Sequence, residues 1–335
     1  MKQNLFFALL VLLLLLVMPL CSAGVAAGSR KEDAPAPISS TTKPAAAAPQ
    51  QTTAPPQAAA PPAFASLQVL RTSTGATQSI PLEEYLVGCV AAEMDANCHS
   101  EALKAQAVAS YTYARYRLEI AGQSALSDSG DSDQGYISRA QRQERWGGNF
   151  ETYEAKIGQA VRAVSGQTIT YGGQPIFAAY HAVSAGRTES AEDYWGQPFD
   201  YLQSVESPGD KLSPDYSRSA TLSEEDMRKA LEACGDIELG KDPAQWFGAP
   251  KRSGAGGVME IAVGGKPLTG REVRALLGLR STHFTIEWKD GRFRITCLGY
   301  GHGVGMSQYG ADFMARQGSG YREILEHYYT GCTVG

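Results

Sequence analysis

The run Gly299-Tyr300-Gly301-His302-Gly303-Val304-Gly305-Met306-Ser307-Gln308-Tyr309-Gly310-Ala311 constrains this chain more than any other stretch of it. Its five glycines weaken helix and strand alike, because ordering each one costs backbone entropy. A fold keeps such a run where backbone must pass close to something or take positive φ, with polar side chains held on a tight loop. The plainer alternative is a glycine-rich turn after a strand.

The ends of the chain bound the rest. Lys2 precedes an uncharged run from Gln3 to Gly28 that is nearly all apolar from Leu5 to Leu20. Residues 1–28 therefore predict a signal peptide or a single membrane-spanning anchor. Small residues at Ser22, Ala23, Ala26 and Ala27 permit cleavage. A lipoprotein cysteine at Cys21 is disfavoured, because Met18-Pro19-Leu20 lacks the small residues that precede a lipidated Cys. Residues 29–63 are rich in Pro and Ala with almost no large apolar side chains, which predicts a disordered linker. The folded part then spans 64–335, about 270 residues, enough for a large core in one domain or two lobes. On this reading it is extracytoplasmic and held at the cell membrane by a single pass.

A net charge of −5 and the lack of a basic run argue against nucleic acid. The six cysteines are irregularly spaced and form no CxxC pair. Export permits disulfides, and Cys89–Cys98 and Cys297–Cys332 are conceivable pairs, with buried thiols the alternative.

Residues 67–70 and 78–80 flank a turn-like Thr72-Ser73-Thr74-Gly75, predicting a hairpin. Pro81 opens a helix with Glu83 and Glu84 in its first turn, where the macrodipole favours acids. Leu82, Leu86, Cys89/Val90 and Glu93 share one helical stripe, so Glu93 extends a buried face. Desolvation disfavours its charged form and raises its pKa, as a general acid requires. The competing reading is a carboxylate that caps the next segment. Ser100 is the expected N-cap of a second helix, with small residues along its inner stripe and Gly122 at its close. Lys104 lies beside that stripe, either turned toward the Glu93 loop or solvated.

Three blocks of this sequence resemble the stage II sporulation protein D family. Residues 81–94 with 101–109, containing Glu93 and Lys104, look like its opening block. His181-Ala182-Val183-Ser184-Ala185-Gly186-Arg187-Thr188-Glu189, with Trp195-Gly196 and 201–205, looks like its central block. Residues 301–311 look like its last. The blocks come in family order and span 66–333. The resemblance implies a peptidoglycan lytic transglycosylase acting in sporulation engulfment on glycan strands without stem peptides. It also implies an amidase/endopeptidase partner and a membrane anchor protein. It places the catalytic acid at Glu93 and substrate contacts at Lys104, Tyr180, His181, Ser184, Glu189, His302 and Gln308.

The sequence departs from the family pattern at three places. Tyr111 stands where an Arg is usual, and Arg115, one turn on, is the candidate to replace its charge. Ala185 stands where Gly is usual. The run 127–136, where some members bind zinc, offers no Cys or His, so no metal and no cofactor is expected. Its Asp spacing lacks the pattern of a calcium loop, and an Asx-rich turn is the simpler reading.

A lyase needs one acid where ordinary glycosidases use two carboxylates. The glutamic acid protonates the leaving oxygen, and the sugar's own C6 hydroxyl then closes onto C1. Tyr180, Tyr194, Trp195 and Tyr309 suit sugar stacking, with core packing the alternative for each. His181 and His302 suit hydrogen bonds to acetamido or hydroxyl groups. Ser184 lacks the G-x-S-x-G setting of an acyl nucleophile. The rival functions are a wall-binding, non-catalytic enhancer of an N-acetylmuramoyl-L-alanine amidase, and a glycan hydrolase that uses water.

Helices are predicted at 151–164, 223–233 and 321–328. Strands are predicted at 168–171 and 175–180 across Gly172-Gly173, at 257–263, and at 284–288 paired with 293–297. Helices and strands alternate without a βαβ period, so the fold class is α+β with a cleft. The segment 206–280 is a candidate second lobe.

Overall fold

The computed structural model describes residues 62–335 except 233, 234 and 236. The anchor expected at 1–28, and nearly all of the linker expected at 29–63, lie outside the described residues. Among the described residues no helix is long and apolar enough to cross a membrane.

Ser66–Arg71 and Ala76–Pro81 form the expected hairpin, in register from Ser66 opposite Pro81 to Arg71 opposite Ala76. Leu126–Ser127 adds a parallel strand beside it. Helix α1, Leu82–Glu93, starts directly from the hairpin with Glu83 and Glu84 in its first turn. Helix α2, Ser100–Arg115, is capped by the His99 side chain, which accepts from Glu101 N, and not by Ser100. The chain continues through a wider turn, Tyr116–Ile120, and ends at Gly122, whose φ of 71° suits the left-handed close.

Both helices are buried on more than the single stripe their periodicity predicts. Most of α1 from Tyr85 to Ala91 and almost all of α2 from Ala102 to Ala114 are enclosed. The cause is their central place: α2 packs against α1, against α4 (Phe150–Ala163, which follows α3, Arg139–Trp146) and against the helices Gln308–Arg316 and Tyr321–Tyr328. A row of alanines lets those neighbours approach closely, and the polar residues it buries are paired, Gln106 Nε2 with Ser110 Oγ and Thr112 Oγ1 with Val108 O.

The strand expected over 175–180 is two separate pieces. Gln174–Pro175 pairs with Ile169–Tyr171, whereas Tyr180–His181 pairs in parallel with Met306–Ser307. That two-residue ladder joins the central block to the glycine run, a contact of more than 120 residues' separation that no local pattern encodes. Phe284–Lys289 and Arg292–Leu298 form the expected hairpin about Asp290 and Gly291, both at positive φ, which makes a primed turn. Ser217–Leu222 completes that sheet on the far side of Arg292–Leu298.

The buried apolar residues form two clusters. One is built on α1, α2 and α4 and reaches Tyr328 and Tyr329. The other is built from Met227, Trp246, Val263, Phe284 and Phe293, within the segment that follows the central block. The fold is α+β. The four described cysteines outside the masked positions, Cys89, Cys98, Cys297 and Cys332, are free thiols, so neither conceivable pair is bonded.

Candidate active site

Glu93 ends α1 at the wall of a cavity of about 290 Å³. The same cavity is bordered by Tyr180, His181 and His302, and by Tyr113, Phe177 and Trp195. Burial pushes the Glu93 carboxyl above its ordinary pKa, against hydrogen bonding from Gly135, Tyr180 and Gln308 that favours the anion.

The segment after Leu126–Ser127 holds this carboxyl in place. Gly135 N donates to Glu93 Oε1 at 2.7 Å. A Cβ on Gly135 would lie 2.9 Å from that oxygen, so only glycine brings its N–H so near. The segment closes on α1 because Gly88 has no side chain; a Cβ there would enter the Tyr136 ring. Gln134 is buried beneath. Its Nε2 donates to Tyr85 Oη at 2.9 Å and to Ser110 O at 3.1 Å, and its Oε1 accepts from Tyr180 Oη at 3.1 Å. On the other side Gln308 Nε2 donates to Gln106 Oε1 at 3.2 Å, and Gln106 Nε2 donates to Ser110 Oγ at 3.1 Å.

The glycine run supplies the opposite wall. Gly301, Gly303 and Gly305 all have positive φ. At Gly305 a Cβ would collide with the carbonyl of Ala179, the strand neighbour of the Tyr180–His181 ladder. The run thus lies flush on the central block, and its residues turn His302 inward.

The two histidines differ in kind. His302 Nδ1 accepts from Val304 N at 3.1 Å. His181 Nδ1 faces Val304 O at 3.1 Å and must carry the proton, while its Nε2 is buried without a partner. Burial lowers both, His181 to about 3 and His302 to about 4. They are neutral across the physiological range.

Comparison with known proteins places the chain among relatives. A family model described as "Stage II sporulation protein" matches residues 71–171, which hold α1, α2 and the Gln134-Gly135-Tyr136 segment. "Stage II sporulation protein D" of Bacillus amyloliquefaciens is 40% identical over 279 residues, 80% of this chain and 78% of that protein. The protein of the same name from Bacillus subtilis (strain 168) is 39% identical over 279 residues, with the same coverage of each chain. The chain belongs to the stage II sporulation protein D family. The "Amidase enhancer" of Bacillus subtilis (strain 168) is 26% identical over 306 residues, 74% of this chain and 40% of that protein.

In this member of the stage II sporulation protein D family, the sequence-derived site residues divide into two groups. Glu93, Tyr180, His181 and His302 border one cavity, and Gln308 reaches Glu93 from beside it. The others have different partners. Lys104 pairs with Glu101 at 2.6 Å, and its ammonium lies 6.0 Å from the Tyr321 ring. Arg115 is bound to Glu119 at 2.8 Å and to Thr168 Oγ1 at 3.1 Å. Ser184 is buried, its Oγ accepting from Gly186 N, while its N–H donates to Asp210 at 2.9 Å. Tyr309 Oη donates to Leu212 O at 3.2 Å.

Glu189 is 2% exposed and binds His283 Nε2 at 2.6 Å, Ser253 Oγ at 2.9 Å and Gly257 N at 3.0 Å. Its own N–H donates to Gly303 O at 2.8 Å, so it ties the glycine run to the second cluster. It borders a separate cavity of about 170 Å³. At the family's usual Arg position, Tyr111 is buried and its hydroxyl accepts from Ala63 N at 2.7 Å. Ala185 is not among the described residues of positive φ, and the left-handed position falls on Gly186, at 97°.

Sequence reasoning missed Gln134, Gly135, Tyr113, Phe177, Asp133 and His283. A glycine between Gln134 and Tyr136 was the visible signal for the first two. Asp133 also borders the Glu93 cavity, but Arg117 holds it at 2.9 Å and Ser127 N donates to it at 2.7 Å. Asp128 binds Thr72 N at 2.9 Å and Arg71 at 3.3 Å. The aspartates at both ends of this run are thus turn- and hairpin-fastening groups. The isolated His283 gave no signal.

Proposed function

We propose that the protein is a lytic transglycosylase of sporulation that cleaves peptidoglycan strands lacking stem peptides and leaves 1,6-anhydro-N-acetylmuramic ends. The observation that carries this reading is the Glu93 carboxyl, raised by burial and fixed by Gly135 N–H at the wall of a cavity with aromatic and neutral imidazole sides. The names of the relatives support the sporulation role, and the anchor expected at 1–28 supports action outside the membrane, beside an amidase/endopeptidase and a membrane anchor protein.

In the reaction, protonated Glu93 gives its proton to the glycosidic oxygen as the C1–O bond breaks. The resulting carboxylate faces an oxocarbenium-like sugar. It takes the proton of that sugar's C6 hydroxyl while O6 bonds to C1, which closes the anhydro ring and restores the acid. No water enters, and the intramolecular attack supplies the proximity that a second carboxylate and bound water would otherwise provide. The only other carboxylate on this cavity, among the described residues, is Asp133, whose oxygens are already engaged. That favours the lyase over a two-carboxylate hydrolase.

The test is incubation of the full chain with peptide-free glycan strands and mass analysis of the ends. Anhydro ends are expected. Reducing ends would make the protein a hydrolase. Uncut strands, with binding and stimulation of an amidase retained, would make it the enhancer that one relative's name describes. Glu93→Gln is expected to lower cleavage by at least about a hundredfold while strand binding persists.

A further inference from the structure

The cavity at Glu93 does not stand alone. Phe177 and Trp195 border it and also border a second, larger cavity of about 480 Å³. That second cavity is floored by Tyr116, Phe177, Trp195 and Phe199. Phe177 and Trp195 meet edge-on at 5.6 Å, and Phe177 and Phe199 lie 5.9 Å apart, a continuous aromatic bed. Its two charged residues are both cations, Arg117 and Arg271. Arg117 is committed to Asp133 at 2.9 Å. Arg271 is exposed, lies 5.7 Å from the Tyr194 ring, and has no hydrogen bond or ion pair among the described residues.

This combination selects a ligand class. An aromatic bed takes the C–H face of a pyranose. An unpaired guanidinium at its edge takes a carboxylate, and does so as a charge-assisted, fork-shaped contact. The neighbouring 170 Å³ cavity, which Arg271 also borders, carries Glu189 and Asp193 and so repels an anion. The carboxylate is thereby directed to the larger cavity.

We propose that the 480 Å³ cavity is a subsite for a carboxylate-bearing sugar, with Arg271 as its specificity-determining residue. Resting on the glycan reading above, the sugar is a muramic acid unit next to the bond at Glu93, and the group read is its lactyl carboxylate. A stem peptide on that carboxyl converts it to a neutral amide and removes the charge that Arg271 recognises. The preference for peptide-free strands then resides in one ion pair, apart from the chemistry.

Titration calorimetry on the full chain carrying Glu93→Gln, which binds without cutting, tests this. The probes are chitotetraose, a peptide-free N-acetylglucosamine–N-acetylmuramic acid tetrasaccharide, and the same tetrasaccharide with its lactyl groups as methylamides. The acid is expected to bind about tenfold or more tighter than the amide. Adding Arg271→Gln is expected to erase that difference while chitotetraose affinity stays within about twofold, and Arg271→Lys is expected to keep part of it. Equal binding of acid and amide, or a loss in Arg271→Gln common to all three probes, overturns the inference and leaves the glycan reading standing. Failure of all three probes to bind overturns both.

Discussion

Ionising Glu93 comes at the expense of the fold. Its raised pKa means that the native state binds this proton more tightly than the unfolded chain does. The contribution to stability is full below the unfolded value, near 4.3, and is lost as pH rises through the folded value. Glu93→Gln is therefore expected to melt higher than the parent at pH 7, with the gap closing below about pH 4. A melting series across pH checks this, and a variant that melts lower at pH 7 contradicts it. Gly135→Ala tests the neighbour that fixes the carboxyl. Its Cβ would crowd Glu93 Oε1 and Ala92 Cβ. Cleavage should fall by roughly a hundredfold, as misplacement of a reacting group does, with kcat and not KM carrying the loss. The sequence marked Glu93 because a carboxylate on an apolar stripe is a local anomaly. It did not mark Gln134 or Gly135, whose meaning comes from what they touch 24 to 49 residues away.

Elements here are aligned by a few buried polar fasteners. Arg142, on the helix Arg139–Trp146, has no exposed surface and binds Glu84 of α1 at 2.9 Å and Glu154 of α4 at 2.8 Å. It also donates to Ile137 O at 2.8 Å, two residues past Gly135. Arg142→Met strands two carboxylates, and a loss of about 3–5 kcal/mol in urea unfolding is expected. Gly305→Ala should cost more than about 2 kcal/mol, since positive φ alone costs a substituted residue about 1–2 and the Ala179 carbonyl blocks the added carbon. Melting of the purified variant checks it, and a melting point equal to the parent's would show that the run does not lie flush. Elements made by neighbours in sequence were legible: the Asp290-Gly291 hairpin, and the helix that Ser223 starts by accepting from Asp226 N at 3.1 Å. The strand expected at 175–180 was misread, because which ladder each half joins depends on residues 169–171 and 306–307.

Across the whole molecule, the buried histidines set an acid limit. His181 and His302 titrate near 3 and 4 in the fold but near 6.5 in the unfolded chain. Unfolding takes up protons below 6.5, so these two groups stabilise fully above that pH and progressively less as it falls toward 4. Melting temperature is expected to drop over that window, and the drop to shrink in His181→Gln with His302→Gln. A window unchanged in the double variant would assign the acid limit elsewhere. The sequence by itself determined the α+β class, the family, the carboxylate at Glu93 on an apolar stripe and the glycine loop, because each is written in spacing along the chain or in residue type. Only the tertiary structure decided which of the candidate residues share a cavity. Lys104, Arg115, Ser184, Glu189 and Tyr309 look as functional as Tyr180 in one dimension, yet their side chains are held by nearer partners. Where a side chain points depends on which distant backbone closes over it, and no local pattern carries that information.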